Sequence, residues 1–171
     1  MVSRPAMRYL GGKWRLAPWI LSFMPQHRTY TEPFGGAASV LLRKPRAHAE
    51  IYNDLDGEIA NLFRVLRSPT EGRELARQVR YTPFSRHEYE AAFQVAGDPI
   101  EQARRTLVKA AMGFGSNSIN KRTGFRSGHT RNGQIPASDW AGLPVALEQI
   151  VERLRGVIIE ERPAVHVIQQ Y

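Results

Sequence analysis

Arg28-Thr29-Tyr30-Thr31-Glu32-Pro33-Phe34-Gly35-Gly36-Ala37-Ala38-Ser39 decides the reading of the fold. The β-branched and aromatic residues over 28–32 predict a short buried strand that Pro33 stops. Two glycines follow, where the backbone can turn sharply and a ligand can approach without meeting a Cβ. A helix is expected over 37–43, ending before Pro45. Further on, Glu50-Ile51-Tyr52 reads as a second strand stopped by Asn53-Asp54. Ile59, Leu62, Phe63 and Leu66 then recur at i, i+3, i+4 and i+7, an amphipathic helix with Asp56 placed to cap it. Upstream, the glycine turn Arg8-Tyr9-Leu10-Gly11-Gly12-Lys13 runs into Leu16, Trp19, Ile20 and Phe23 at helical spacing. Pro18 is tolerable there in the first turn, and Pro25 closes the helix. Strand, glycine turn, helix, strand, acidic residue and helix together open a doubly wound α/β sheet.

The pattern changes after Ser68-Pro69. From 71 to about 154 helical periodicity continues without another convincing strand. Ala103, Leu107, Val108, Ala110 and Ala111 predict a helix that stops at Met112-Gly113-Phe114-Gly115. Residues 116–138, rich in Gly, Asn, Ser and Arg, read as a long loop, a length usually kept for function or disorder. A helix near 145–154 leads to Gly156, and Val157-Ile158-Ile159 reads as one more buried strand. The expected organisation is an α/β core over 1–70, a helical insert over 71–155, and a return strand to the core over 156–171.

Charge narrows the partners. Formal net charge is +8 and the pI about 10.3. No acidic residue lies between Glu101 and Asp139, whereas Arg104, Arg105, Lys109, Lys121, Arg122, Arg126 and Arg131 all do. Such a stretch is either a solvated face kept for solubility or a surface for phosphate backbones. No apolar run approaches the roughly 20 residues that span a bilayer, so no membrane partner is expected. The N-terminus has no apolar segment of a secretory signal, and with no cysteine a cytoplasmic setting is expected. A P-loop is excluded for want of Gly-Lys-Ser or Gly-Lys-Thr, and a hydrolase elbow for want of Gly-x-Ser-x-Gly. His27, His48, His87, His129 and His166 are scattered without metal-like spacing, so no metal site is expected.

By itself, the glycine turn after Glu32 fits mere strand–helix packing. Asp54 adds weight: it ends the next strand, where a carboxylate can accept hydrogen bonds from a ribose in the neighbouring crevice. Its alternative is a helix-start residue beside Asp56. Together the two features favour a nucleoside-containing cofactor without saying which.

Three motifs in order, Arg8-Tyr9-Leu10-Gly11-Gly12-Lys13, Glu32-Pro33-Phe34-Gly35-Gly36-Ala37-Ala38-Ser39 and Tyr52-Asn53-Asp54-Leu55-Asp56, resemble the DNA adenine methylase family. The forms carried by phages and prophages are nearest, and the role, whether restriction-modification, regulation or phage evasion, stays open. Arg104-Arg105, Met112-Gly113-Phe114-Gly115-Ser116, Thr123-Gly124-Phe125-Arg126 and Asp139-Trp140 resemble the family's target-recognition segment. The resemblance implies a Rossmann-like methyltransferase core that binds S-adenosylmethionine and transfers its methyl group to adenine N6 in double-stranded DNA. It places Tyr9 and Lys13 at the cofactor pocket, Glu32, Phe34 and Gly36 on its floor, and Asp54 on the ribose. It lays the basic insert along DNA, with Lys121, Arg122, Arg126 and Arg131 as contacts. Such enzymes flip the target adenine out of the duplex.

The sequence departs from the family pattern in two places. No Pro-Pro occurs, and the one Asp-Pro, Asp98-Pro99, falls in the insert, so the catalytic Asp-Pro-Pro-Tyr is missing and no catalytic residue is assigned. Without that carboxylate and carbonyl nothing orients the adenine amine, and the chain alone is expected to be inactive. Many relatives also have an acidic residue, thought to bind the cofactor adenine, where Pro163 stands. Proline offers neither carboxylate nor N–H. The chain then reads as a fragment or truncated form of a methyltransferase, as a non-catalytic DNA-binding remnant, or as one half of a split enzyme whose C-terminal catalytic half is a second polypeptide.

Overall fold

The computed structural model describes residues 2–128, 133 and 135–171. Three parallel strands form one small sheet in the order β1-β2-β3: β1 Thr29–Glu32, β2 Ala49–Asn53 and β3 Ile158–Glu160. Thr29 pairs with Ala49 and Glu32 with Tyr52, while Ile51 pairs with Ile158 and Asn53 with Glu160. Parallel pairing brings the carboxyl ends of all three strands to one edge, where α/β sheets place ligands. Only β2 is the buried strand that its sequence predicts, with Ile51 and Tyr52 fully inaccessible. Both outer strands are edges and are half-exposed, so the expectation of buried strands at 28–32 and 157–159 is corrected.

The connection from β1 to β2 also differs from expectation. Instead of a helix over 37–43 the chain makes consecutive turns. Gly36 and Ala38 adopt positive φ (48° and 51°), which interrupts helical winding. The Leu41 amide donates to Glu32 Oε2 at 3.0 Å, so a carboxylate takes the place of a helical carbonyl acceptor. Ahead of it, α1 (Ala17–Ser22) forms with Pro18 in its first turn, as read. Its apolar face is not core, however: Trp19 and Phe23 stack edge to face at 5.0 Å while remaining mostly exposed, because no element among the described residues covers them.

All the remaining helices except the last lie between β2 and β3. Asp56 caps α2 (Gly57–Arg67) by accepting from Glu58 N, as its position predicts. Ile59, Leu62, Phe63 and Leu66 of α2 are fully buried, each such side chain contributing about 1.5–3 kcal/mol. Ser68, Ser85 and Asp98 cap α3 (Pro69–Tyr81), α4 (Arg86–Ala91) and α5 (Pro99–Met112). Then come α6 (Pro136–Ala141) and α7 (Leu143–Leu154). Helices α3, α5 and α7 pack around α2, and their buried residues share one apolar cluster with Tyr52. A short helix not anticipated from sequence, α8 (Ala164–Gln170), follows β3. The 116–138 stretch is not wholly loop, since α6 begins at Pro136. Its base is pinched: Gly113 and Phe125 form an antiparallel bridge, Phe114 N donates to Gly124 O and Arg126 N to Met112 O. Among the described residues, no helix is long and apolar enough to cross a membrane.

Candidate functional site at the carboxyl edge of the sheet

Two cavities open side by side at this edge. The first, about 340 Å³, is lined by Phe34, Asp54, Leu55, Arg162 and Ala164. The second, about 310 Å³, is lined by Gly11, Gly12, Lys13, Glu32 and Ser39. Tyr9, Phe34 and Gly36 belong to both, so they form the partition between two compartments of one cleft. All six residues singled out for a cofactor, Tyr9, Lys13, Glu32, Phe34, Gly36 and Asp54, line it.

Asp54 is held by the backbone it organises. Its Oδ2 accepts from Gly36 N at 2.7 Å and its Oδ1 from Asp56 N at 3.0 Å, joining the glycine turn to the start of α2. Each carboxylate oxygen keeps a further lone pair for a ligand hydroxyl. Gly36 is where the chain needs glycine: φ is positive, and a Cβ would lie 2.7 Å from the Tyr9 ring. Phe34 and Leu55 expose most of their apolar surface beside Asp54, a fitting border for a flat heteroaromatic ring.

Glu32 is the polar group of the second compartment. Oε2 accepts from Leu41 N and from the Tyr30 hydroxyl at 3.3 Å. Burial pushes its carboxyl up to about 7, against the lowering effect of these bonds and of Arg153. The Tyr9 phenol is also raised, by burial and by Asp54 and Asp56, and stays protonated at neutral pH. A raised carboxyl destabilises the fold where it ionises. The Glu32 contribution is therefore fully favourable below its ordinary value of 4.5 and is lost as pH rises through about 7. Glu32→Gln is expected to remove that decline, making the protein more stable than wild type at pH 8 by up to about 3 kcal/mol. Urea denaturation of both proteins across this range checks it; parallel curves would contradict it.

Sequence reasoning missed Asn53. Buried at the end of β2, its Nδ2 donates to Pro33 O and Arg162 O, and its Oδ1 accepts from Arg162 N, all at 2.9 Å. It ties together the three loops that leave the strands. A polar residue closing an otherwise apolar strand was the available signal. Pro163 is the N-cap of α8, and Arg162 and Ala164 on either side of it line the first compartment.

The basic stretch divides. Arg104 and Arg105 pair with Glu101, Arg104 also with Glu88, and Lys109 with Glu58, so these three are neutralised within the fold. Lys121, Arg122 and Arg126 have no ion-pair partner among the described residues, and Arg131 lies outside them. Arg122 stacks over Phe93 at 5.1 Å, and Arg86 over Phe125 at 5.0 Å on the pinched ribbon. Arg8 lies within electrostatic reach of Arg126. Among the described residues its buried Nη1 has no hydrogen-bond partner; burial and Arg126 lower its pKa below the ordinary value, against the raising effect of Asp139. Arg8 and Arg86, remote from the stretch in sequence, carried no signal there.

A comparison with known families identifies the chain. The profile of the D12 class N6 adenine-specific DNA methyltransferases matches residues 9–114. The chain belongs to this family. The matched segment contains every residue named for the cofactor, and it ends at Phe114, before Lys121, Arg122 and Arg126. No curated protein matches the sequence.

Proposed function

We propose that this chain is the S-adenosylmethionine-binding and DNA-recognition portion of an adenine-N6 DNA methyltransferase. The observation that carries this reading is the divided cleft, whose halves differ in chemistry as the halves of that cofactor do. The first compartment, with Asp54 between Phe34 and Leu55, suits a nucleoside: a carboxylate for the ribose hydroxyls and apolar faces for the base. The second sets one cation, Lys13, and one carboxylate, Glu32, around a volume suited to a zwitterionic amino acid. The residues present therefore fit the group. When bound, its sulfonium supplies an electrophilic methyl. The chain's own residues grip the two ends, with Tyr9, Phe34 and Gly36 holding the middle of the ligand. On this reading the three-stranded sheet is part of a Rossmann-like core and residues 71–155 are the target-recognition insert, even though their helices share a core with α2.

Double-stranded DNA is the proposed partner of the second face. Lys121, Arg122 and Arg126 on or near the pinched ribbon, with Arg131, would neutralise phosphates. Arg8, the chain neighbour of Tyr9, lies within electrostatic reach of Arg126, so a backbone held by both would pass near the cleft. Nothing in the 171 residues offers the Asp-Pro-Pro-Tyr carboxylate to take the amine hydrogens. The outer edge of β1 carries no strand among the described residues, and a catalytic segment supplied by another polypeptide would have pairing groups there.

Two measurements on the 171-residue protein test this. Duplex DNA binding is expected to weaken steeply with salt, and Arg122→Ala with Arg126→Ala should flatten the log–log slope by about two. Labelled methyl donor with the same duplex should transfer no methyl group. Salt-independent binding would sink the DNA face, and methylated adenine would overturn the expectation that the chain lacks catalytic groups.

A further inference from the structure

We propose that Arg153, carried by α7 outside the cleft, is a positioning residue of the ligand site, supplying the buried positive charge that balances the Glu32 carboxylate. The inference rests on the reading of the second compartment as the place of an amino-acid group. Arg153 Nη2 donates to Leu41 O at 2.7 Å, and the amide of the same residue, Leu41, donates to Glu32 Oε2 at 3.0 Å. One side chain from the helical part of the chain thus clamps the turn that holds the carboxylate.

The charges around it are unequal. Arg153 reaches both oxygens of Glu50, at 2.7 and 2.9 Å, and Lys44 Nζ reaches Glu50 Oε1 at 2.9 Å. Lys44 and Glu50 are only 5% and 4% exposed, so water screens the group little. Two cations face one carboxylate, where Lys44 alone would neutralise Glu50. The surplus positive charge faces Tyr30, whose hydroxyl bonds Glu32 and over whose ring Lys44 sits at 4.8 Å. With Glu32 ionised, the cluster of Lys44, Arg153, Glu50 and Glu32 is neutral. With Glu32 protonated it carries one buried positive charge. The groups facing Glu32 are Tyr30 of β1, the Val40 and Leu41 amides of the turn, Arg153 of α7 and, across the compartment, Lys13. Glu50 of β2 acts on Tyr30, whose hydroxyl bonds Glu32. Among these, Arg153 favours the carboxylate from outside the ligand's volume. An ammonium entering the compartment needs that carboxylate formed, so Arg153, beside the hydrogen bonds from Leu41, Tyr30 and Val40, helps set the pH at which such a ligand binds.

The test compares S-adenosylhomocysteine with 5′-methylthioadenosine, the same nucleoside without the amino-acid group, by calorimetric titration between about pH 5.5 and 8.5. In the wild-type protein, affinity for the first should rise through about pH 7 and affinity for the second should stay level. Arg153→Gln, which keeps a donor for Leu41 O and removes the charge, should move the midpoint to higher pH and leave methylthioadenosine binding level. Arg153→Lys should restore most of the wild-type profile. If Arg153→Gln does not fold, Arg153→Met, which leaves the neutral Lys44–Glu50 pair, is read the same way. An unmoved midpoint, or equal weakening of both ligands at every pH, would make Arg153 a structural residue only and overturn the proposal. A folded wild-type protein that binds neither ligand would instead remove the reading of the cleft on which the proposal rests.

Discussion

Asp54→Ala is expected to weaken S-adenosylhomocysteine binding by at least about 100-fold and to cost about 3 kcal/mol of stability. The two effects have separate origins in one carboxylate. Stability falls because Gly36 N, at 2.7 Å, and Asp56 N, at 3.0 Å, lose their acceptor. Hydrogen bonds to charged groups are worth about 1.5–3 kcal/mol each, and partial exposure of this loop places the sum near the lower end. Binding falls further because the ribose loses its acceptor and because the Gly36 turn, the partition of the cleft, is released. Asp54→Asn separates the two: its one carbonyl oxygen can retain a backbone bond, so stability should be partly recovered while affinity stays low. Urea denaturation and calorimetry on both variants check this. An Asp54→Ala protein that loses stability yet binds the ligand normally would reduce Asp54 to a loop brace.

Gly35→Ala is expected to destabilise the fold by about 3 kcal/mol, lowering the melting temperature by about 10 °C. A Cβ there would sit 2.1 Å from the Tyr52 ring. That ring cannot yield. It is fully buried, its centroid lies 4.3 Å from that of Phe63, and its hydroxyl donates to Gly36 O at 2.7 Å. Accommodating even one methyl means moving β2, α2 or the glycine turn, and each option breaks this hydrogen bond or opens the core. The same residue therefore links strand packing to the wall of the cleft, and ligand affinity should fall together with stability. Thermal unfolding of wild type and variant measures it, and coincident melting curves would contradict it.

What the sequence revealed, and what it hid, follows from the range of the interactions. The order strand, glycine turn, strand, acidic residue, capped helix was legible because each signal is local: Pro33 ends a strand, Asp56 caps its own helix, and α2 repeats its apolar face every turn. The six residues that the family resemblance assigns to a cofactor line one cleft, Glu32, Phe34, Gly36 and Asp54 because they lie where β1 and β2 end. The 37–43 turn was misread as a helix because its conformation is set by Glu32, whose carboxylate takes the Leu41 amide across the turn. The face of α1 has helical periodicity, but periodicity does not say whether anything covers it. Arg104, Arg105 and Lys109 looked like part of a basic surface because Glu88 and Glu58, which pair with Arg104 and Lys109, lie well upstream of the acid-free stretch. Asn53 and Arg153 act only through partners that folding brings to them.

The central claim, that the divided cleft binds the methyl donor, is tested most directly by titrating S-adenosylhomocysteine into the purified chain in a calorimeter at about pH 8, where Glu32 is ionised. The account predicts one site per chain with micromolar affinity, abolished in Asp54→Ala. A folded, monodisperse protein that takes up no ligand would contradict it, leaving the basic face as the activity to pursue.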